Sequence, residues 1–315
     1  MTKYRDRLPQ MQDQLFLTDG GLETTLIFQD GIDLPHFAAF TQLSDPAGRE
    51  RLRKYFLRYA DIARAGQAGF ILEAPTWRAS PDWGLKLGYS SEELADINAE
   101  AIWLLEEVRA TCQSADMPVV ISGCIGPRGD GYNPEAIMTE QEAQSYHSLQ
   151  VNVFAGSEAD MITAMTITNV PEAIGITRAA KAAGIPLCLS FTVETDGRLP
   201  TGETLRTAIG AVDRATDNGP IYYMINCAHP SHFTQAVASG EPWLKRIRAV
   251  RANASRRSHA ELDNADNLDA GDPVALGREY AELRELLPWL TVMGGCCGTD
   301  HRHVEQMCRH CTTVA

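Results

Sequence analysis

The chain has 315 residues, of which 44% are hydrophobic, enough for a substantial buried core in one domain of alternating strands and helices. Its formal net charge is −13 and no long basic run occurs, so nucleic acid and anionic membrane surfaces have no electrostatic claim on it, whereas a cationic substrate is compatible.

Residues 1–14 open the chain as a polar, charged segment without the apolar core of a signal peptide, and no later segment approaches membrane-spanning length. The chain reads as cytoplasmic. Short apolar runs bounded by turn residues then recur at Leu15–Thr18, Gly69–Glu73, Val119–Ser122, Met161–Thr166, Pro186–Thr192, Ile221–Asn226, Ile247–Ala252 and Thr291–Met293. They have the look of buried parallel strands. Stretches with helical spacing separate and follow them: Pro46–Ala65, Ser91–Thr111, Thr139–Gly156, Pro171–Ala183, Thr204–Asn218, Ser231–Gly240, Pro273–Leu287 and His301–Cys311. Glu92 and Glu93 beside Ser91, and Glu140 and Glu142 after Thr139, mark two helix starts, and Gly184 marks a stop. Eight strand–helix units predict a closed (β/α)8 barrel, with residues 1–315 as one domain. Ser255–Asp272 breaks the rhythm and is expected to be a loop after the seventh strand.

Eight cysteines are present, and a disulfide framework is not expected in a reducing compartment. Most should be small buried hydrophobes. Cys296 and Cys297 differ, because they lie in Gly294-Gly295-Cys296-Cys297-Gly298 after the last strand. Adjacent side chains on a strand point to opposite faces, but glycines allow a tight turn that aims both sulfurs at one point. Cys227 follows the sixth strand, and in a barrel the ends of strands six and eight open onto the same C-terminal rim. Three sulfurs with an open fourth position predict a catalytic Zn2+ site. The terminal group His301, His303, Cys308, His310 and Cys311 is a rival cluster, but it falls in a terminal helix and reads as packing and surface. His229 and His232 read as loop or first-turn residues.

Asp19-Gly20-Gly21-Leu22-Glu23 after the first strand, Asn226-Cys227 after the sixth and Gly294 to Gly298 after the eighth together resemble the homocysteine S-methyltransferase family, from about Leu15 to Cys311. The resemblance implies zinc held by Cys227, Cys296 and Cys297 at the barrel mouth. It also implies Asp19 near the amino group of homocysteine, and Asn253 in an Asn-rich loop after strand seven. Two positions depart from the family pattern. Met165 stands where the fourth strand typically ends in a Glu that holds the substrate amine, and a thioether cannot balance an ammonium. Either the acceptor is not homocysteine or another acid compensates, and Glu73 at the end of strand two is the obvious substitute. Trp77 fits an aromatic contact to a methyl donor, but Arg78 stands where a Tyr is usual. A guanidinium repels an onium ion unless it pairs with the donor's carboxylate. Trp77, Trp83, Phe37 and Phe40 are candidates for an aromatic cage around a sulfonium or ammonium ion.

The expected reaction is methyl transfer from a cationic donor to a thiol acceptor, homocysteine by default. Zinc-dependent hydrolysis or elimination on the same fold would want His and Asp ligands, which the strand ends rarely offer. A non-catalytic zinc or thiol sensor would bind metal without turnover. The sequence does not choose among S-methylmethionine, S-adenosylmethionine, a betaine, dimethylsulfoniopropionate and a methylated folate or corrinoid. A homo-oligomer is compatible with it and not specified by it.

Overall fold

The computed structural model describes residues 2–134, 136–263 and 267–312. Eight strands form a closed barrel in which each pairs in parallel with its sequence neighbour and the first closes on the eighth. They are β1 (Phe16–Leu17), β2 (Gly69–Glu73), β3 (Val119–Ile125), β4 (Met161–Ile167), β5 (Leu187–Phe191), β6 (Tyr222–Asn226), β7 (Ile247–Ala252) and β8 (Val292–Gly295). The main helices are α1 (Pro46–Ala65), α2 (Ser91–Cys112), α3 (Glu140–Ala155), α4 (Val170–Ala183), α5 (Leu205–Thr216), α6 (Pro230–Val237), α7 (Pro273–Leu286) and α8 (His301–Thr312). This is the (β/α)8 architecture that the alternation of strand and helix signals predicts.

Local chemistry explains the helix ends. Ser90 and Glu93 form a reciprocal capping box on α2, and Thr139 and Glu142 do the same on α3, each satisfying backbone N–H groups that have no partner within the helix. Asn169 accepts from Glu172 N at the start of α4, and Gly184, at φ 68°, ends it. β3 runs three residues past the expected Ser122. Gly123 looks like a turn signal, but a Cβ there would lie 2.5 Å from the ring of Phe154. The glycine admits an α3 side chain against the sheet and does not end the strand. Within Ser255–Asp272 a short helix, His259–Asp263, forms where only loop was expected, and residues 264–266 lie outside the described part.

Two apolar layers result. One lies between sheet and helices. The other fills the barrel with Phe16, Ile71, Val120, Met161, Cys188, Tyr222, Met224, Ala249 and Val292, so the interior is a packed plug. The polar N-terminal segment takes part in closing the barrel. Leu8 and Gln10 are buried, Gln10 Nε2 donates to Met161 Sδ, and the Arg5 guanidinium donates to the carbonyls of Ala155, Ser157 and Ala159.

Candidate metal and substrate site

Above the apolar plug the barrel interior turns polar. Alternate residues at the upper strand ends point inward, which brings together Glu73, Thr163, Ser190, Asn226 and Arg251, with Asp19 just beyond β1. All six are buried. Asn226 Oδ1 accepts from Thr166 N at 2.9 Å and from Ser190 Oγ, and its Nδ2 donates to Thr166 Oγ1 at 2.9 Å. Its amide thereby ties β4 and β5 to β6, and Nδ2 also reaches Cys296 Sγ at 4.0 Å.

Cys227 is the next residue, and its φ of 53° is left-handed. A side chain disfavours that conformation, so the surrounding structure must impose it. Cys227 N donates to Arg251 O at 3.0 Å. Its carbonyl accepts from Asn253 Nδ2 at 3.0 Å and from His259 Nε2 at 2.6 Å. His259 Nδ1 lies 3.1 Å from Glu194 Oε1, and its ring stacks on Tyr132 with centroids 4.0 Å apart. Asn253, expected in the substrate-facing loop, therefore acts on the backbone of Cys227.

Cys296 and Cys297 sit in the turn after β8. Cys296 N donates to Ala252 O, and Cys297 O accepts from Ala254 N. The sulfurs of Cys227, Cys296 and Cys297 all lie within 4.8 Å of one another, and they are the one such ligand cluster among the described residues. Here the structure corrects the expectation of three thiols, because Cys227 and Cys296 are joined as a disulfide. Close convergence makes that bond accessible, and the same convergence suits a metal. Cys227 Sγ and Cys297 Sγ are 3.7 Å apart, the separation expected of two thiolates about a tetrahedral zinc with Zn–S of about 2.3 Å. Reduction would return Cys227 and Cys296 to the donor set, so these residues fit the metal. The Tyr132 hydroxyl stands over the group, 3.3 Å from Cys227 Sγ and 3.6 Å from Cys297 Sγ.

The rival ligands have other partners. Cys308 and Cys311 are buried on α8, and burial raises both thiols. His303 is held between Asp300 and the Ala270 carbonyl. His229 accepts from Ser231 N at the start of α6 and faces Glu279, while His232 meets the Arg256 carbonyl.

Asp19 carries an ion pair of its own. Arg251 Nη2 lies 2.8 Å from Asp19 Oδ1, and the Tyr55 hydroxyl donates to Oδ2 at 2.9 Å. Arg251 also donates to the carbonyls of Gly295 and Gly20. Burial opposes its charge, but Asp19 and Glu73 outweigh that and raise its pKa. Gly20 and Gly21 serve close approach. A Cβ on Gly21 would lie 2.6 Å from the Cys296 carbonyl oxygen, so the first strand end presses directly on the cysteine turn.

Glu73 accepts from Thr163 at 2.9 Å through Oε1, whereas Oε2 is buried without a partner. Burial pushes its carboxyl up to about 7, against the pull of Arg251 and Thr163. Glu23 is likewise raised, by burial first and then by Asp19. Met165 faces the barrel interior and supplies no polar group.

The expected onium cage does not form. Phe40 is buried against Tyr89 and Phe37 is exposed. The Arg78 guanidinium lies 3.9 Å from the Trp77 ring centroid and 3.7 Å from that of Trp83. The cation between these indoles is the protein's own. Sequence reasoning did not single out Arg251, Tyr55, Tyr132 or His259. A charged residue inside an apolar strand was the available signal for Arg251.

The family model described as homocysteine S-methyltransferase matches residues 16–311. Homocysteine S-methyltransferase 4 of Zea mays is 23% identical over 315 residues, covering 93% of this chain and 88% of that protein. Selenocysteine Se-methyltransferase of Brassica oleracea var. italica is 24% identical over 307 residues, covering 90% and 85%. The homocysteine methyltransferase MmuM of Escherichia coli shares the fold. Its oxidized form superposes with a TM-score of 0.78 at 18% identity, covering 95% of this chain and 97% of that one, and its metallated form with a TM-score of 0.72 at the same identity. With a barrel built to the same plan and a family match running across nearly all of it, this chain belongs to the homocysteine S-methyltransferase family and is a methyltransferase.

Proposed function

We propose that this protein is a zinc-dependent thiol S-methyltransferase that moves a methyl group from an onium donor to a thiol, homocysteine by default. The observation that carries the reading is the convergence of Cys227, Cys296 and Cys297 at the ends of β6 and β8. Cys227, Cys296 and Cys297 would hold zinc, and the similar MmuM is known in a metallated form. Bound there, zinc would lower the pKa of an acceptor thiol, which is near ~8.5 when free, and so supply a nucleophile at neutral pH.

The transfer forms a bond from acceptor sulfur to the methyl carbon and breaks the bond from that carbon to the donor's onium atom. The bonding electrons stay with the donor, which departs neutral, and the thiol proton goes to solvent. No general acid is needed, because the donor leaves as a neutral group. The chain's own work is alignment. Asn253 and His259 fix the backbone of Cys227, and Gly21 lets the first strand end support Cys296. With Asp19 engaged by Arg251 and Tyr55, and with Met165 apolar, we assign the acceptor's ammonium to the unpartnered oxygen of Glu73. Both substrates are small molecules, and among the described residues no helix is long and apolar enough to cross a membrane. The metal-holding state needs reduced thiols, so we place the working protein in the cytoplasm.

Replacing Cys296 or Cys297 by Ala should abolish zinc retention and methyl transfer together. Metal analysis and a transfer assay on reduced protein test this, and stoichiometric zinc in either variant would overturn the assignment.

A further inference from the structure

Arg78 is a cation of the barrel mouth for which no acidic partner is in contact among the described residues. It is 5% exposed. The Trp77 and Trp83 rings both pack on its guanidinium, with centroids 3.9 and 3.7 Å from the central carbon, and a guanidinium packed on rings hydrogen-bonds through its edge. One edge donor, Nη1, reaches the Gly129 carbonyl at 3.0 Å. Nε is buried with no partner. No carboxylate pairs with Arg78 among the described residues. The acids whose charge it feels are Asp130 and Glu23, but Asp130 spends Oδ1 on the backbone N–H groups of Tyr132 and Asn133.

A buried guanidinium is retained at a cost unless an anion completes it, and its planar fork matches a carboxylate in particular. The place is also right. Arg78 follows β2, just past Glu73. Trp77 Nε1 donates to the carbonyl of Met165 on β4. The loop that receives the Arg78 hydrogen bond continues through Gly131 to Tyr132, whose hydroxyl stands over the sulfurs.

We propose that Arg78, clamped between Trp77 and Trp83, is a specificity-determining residue that binds the carboxylate of a substrate of the transfer reaction. The indoles hold a cation so that its edge can receive an anion, and they do not themselves receive an onium group. A substrate is then recognised through its acid end, and a simple onium cation or a thiol without an acid end is a poor substitute. This rests on the methyl-transfer reading for the identity of the substrates, but not for the binding of the carboxylate.

Calorimetry on reduced protein without turnover tests it with matched pairs. For the donor the pairs are dimethylsulfoniopropionate against ethyldimethylsulfonium, and S-methylmethionine against its decarboxylated analogue. For the acceptor the pair is homocysteine against 3-aminopropanethiol. The intact protein should prefer the acid-bearing member of at least one pair by tenfold or more. Arg78→Met, which refills the slot between the indoles, should erase that preference, while Arg78→Lys, which keeps the charge, should keep part of it. Circular dichroism confirms that both variants fold. Preference confined to the donor pairs, or to the acceptor pair, assigns the carboxylate to that substrate. The proposal is overturned if the intact protein discriminates within no pair, or if Arg78→Met retains the discrimination. Loss of transfer with the carboxylate preference intact would instead count against the methyl-transfer reading alone.

Discussion

A single buried carboxyl, Glu73, joins the recognition and stability of this barrel. Its pKa is pushed up from 4.5 to about 7 by burial, so the folded chain holds this proton more tightly than the unfolded one. Between those two values the folded state binds more protons, and its stability therefore falls as pH rises through the window, by at most about 3 kcal/mol. Glu73→Gln removes the titration. Its melting temperature should stay close to that of the parent at pH 5 and exceed it at pH 8, and an equal difference at both pH values in thermal melts would refute this origin. An ammonium beside Glu73 would draw it into the ionised form. Accordingly Glu73→Ala should weaken binding of homocysteine about tenfold or more, the order expected when a charged hydrogen bond is lost, and leave a simple thiol nearly unaffected. Equal losses for both thiols in a titration would remove Glu73 from amine recognition. The sequence already pointed to this residue, because a carboxylate closing a barrel strand is a local feature that faces the rim.

At the level of elements, the metal ligands depend on how loops grip one another. Cys227 is held in a left-handed conformation while its carbonyl faces three donors, Asn253 from the end of β7, His259 from the short helix beyond it and, at 3.5 Å, the Thr192 hydroxyl. Asn253→Ala removes one of them. It should cost roughly 1–2 kcal/mol of stability and weaken zinc about 10–100-fold, the usual consequence of losing a group that orients a ligand. Denaturant unfolding and competition with a chromophoric chelator would measure the two effects, and unchanged zinc affinity would show that Asn253 does not govern the cysteine. The 255–272 segment shows why this was hard to read in advance. Its polar, weakly patterned sequence signals a loop, whereas the use of His259 depends on Glu194, sixty-five residues earlier, and on Tyr132 stacking on its ring.

For the molecule as a whole, the barrel closes over a charged centre. Arg251 on β7 reaches Asp19 after β1 and the carbonyls of Gly20 and Gly295, bridging the seam where the first and last strands meet. Arg251→Met would leave Asp19 and Glu73 buried without their cation, and should destabilise the fold by roughly 3–5 kcal/mol. Adding Asp19→Asn should recover part of that loss, since the two positions form one pair. If the double variant is as unstable as the sum of the single ones in denaturant melts, the pair is not the source of the effect.

The sequence by itself determined the number and order of strand–helix units, the Thr139 cap and the three sulfurs at one rim, although it placed the α2 cap one residue late, at Ser91 instead of Ser90. Those features follow from periodicity, turn chemistry and the fixed geometry of a closed parallel barrel, all of which act over short stretches of chain. Only the tertiary structure decided which groups those residues meet. It paired Asp19 with Arg251, more than two hundred residues away, set the Asn253 amide against the Cys227 carbonyl, and filled the Trp77–Trp83 slot with Arg78. A motif places a side chain on a rim, but its partners are set by closure of the barrel and by burial, which force every charge at the mouth to find a counterpart in the chain or in a ligand.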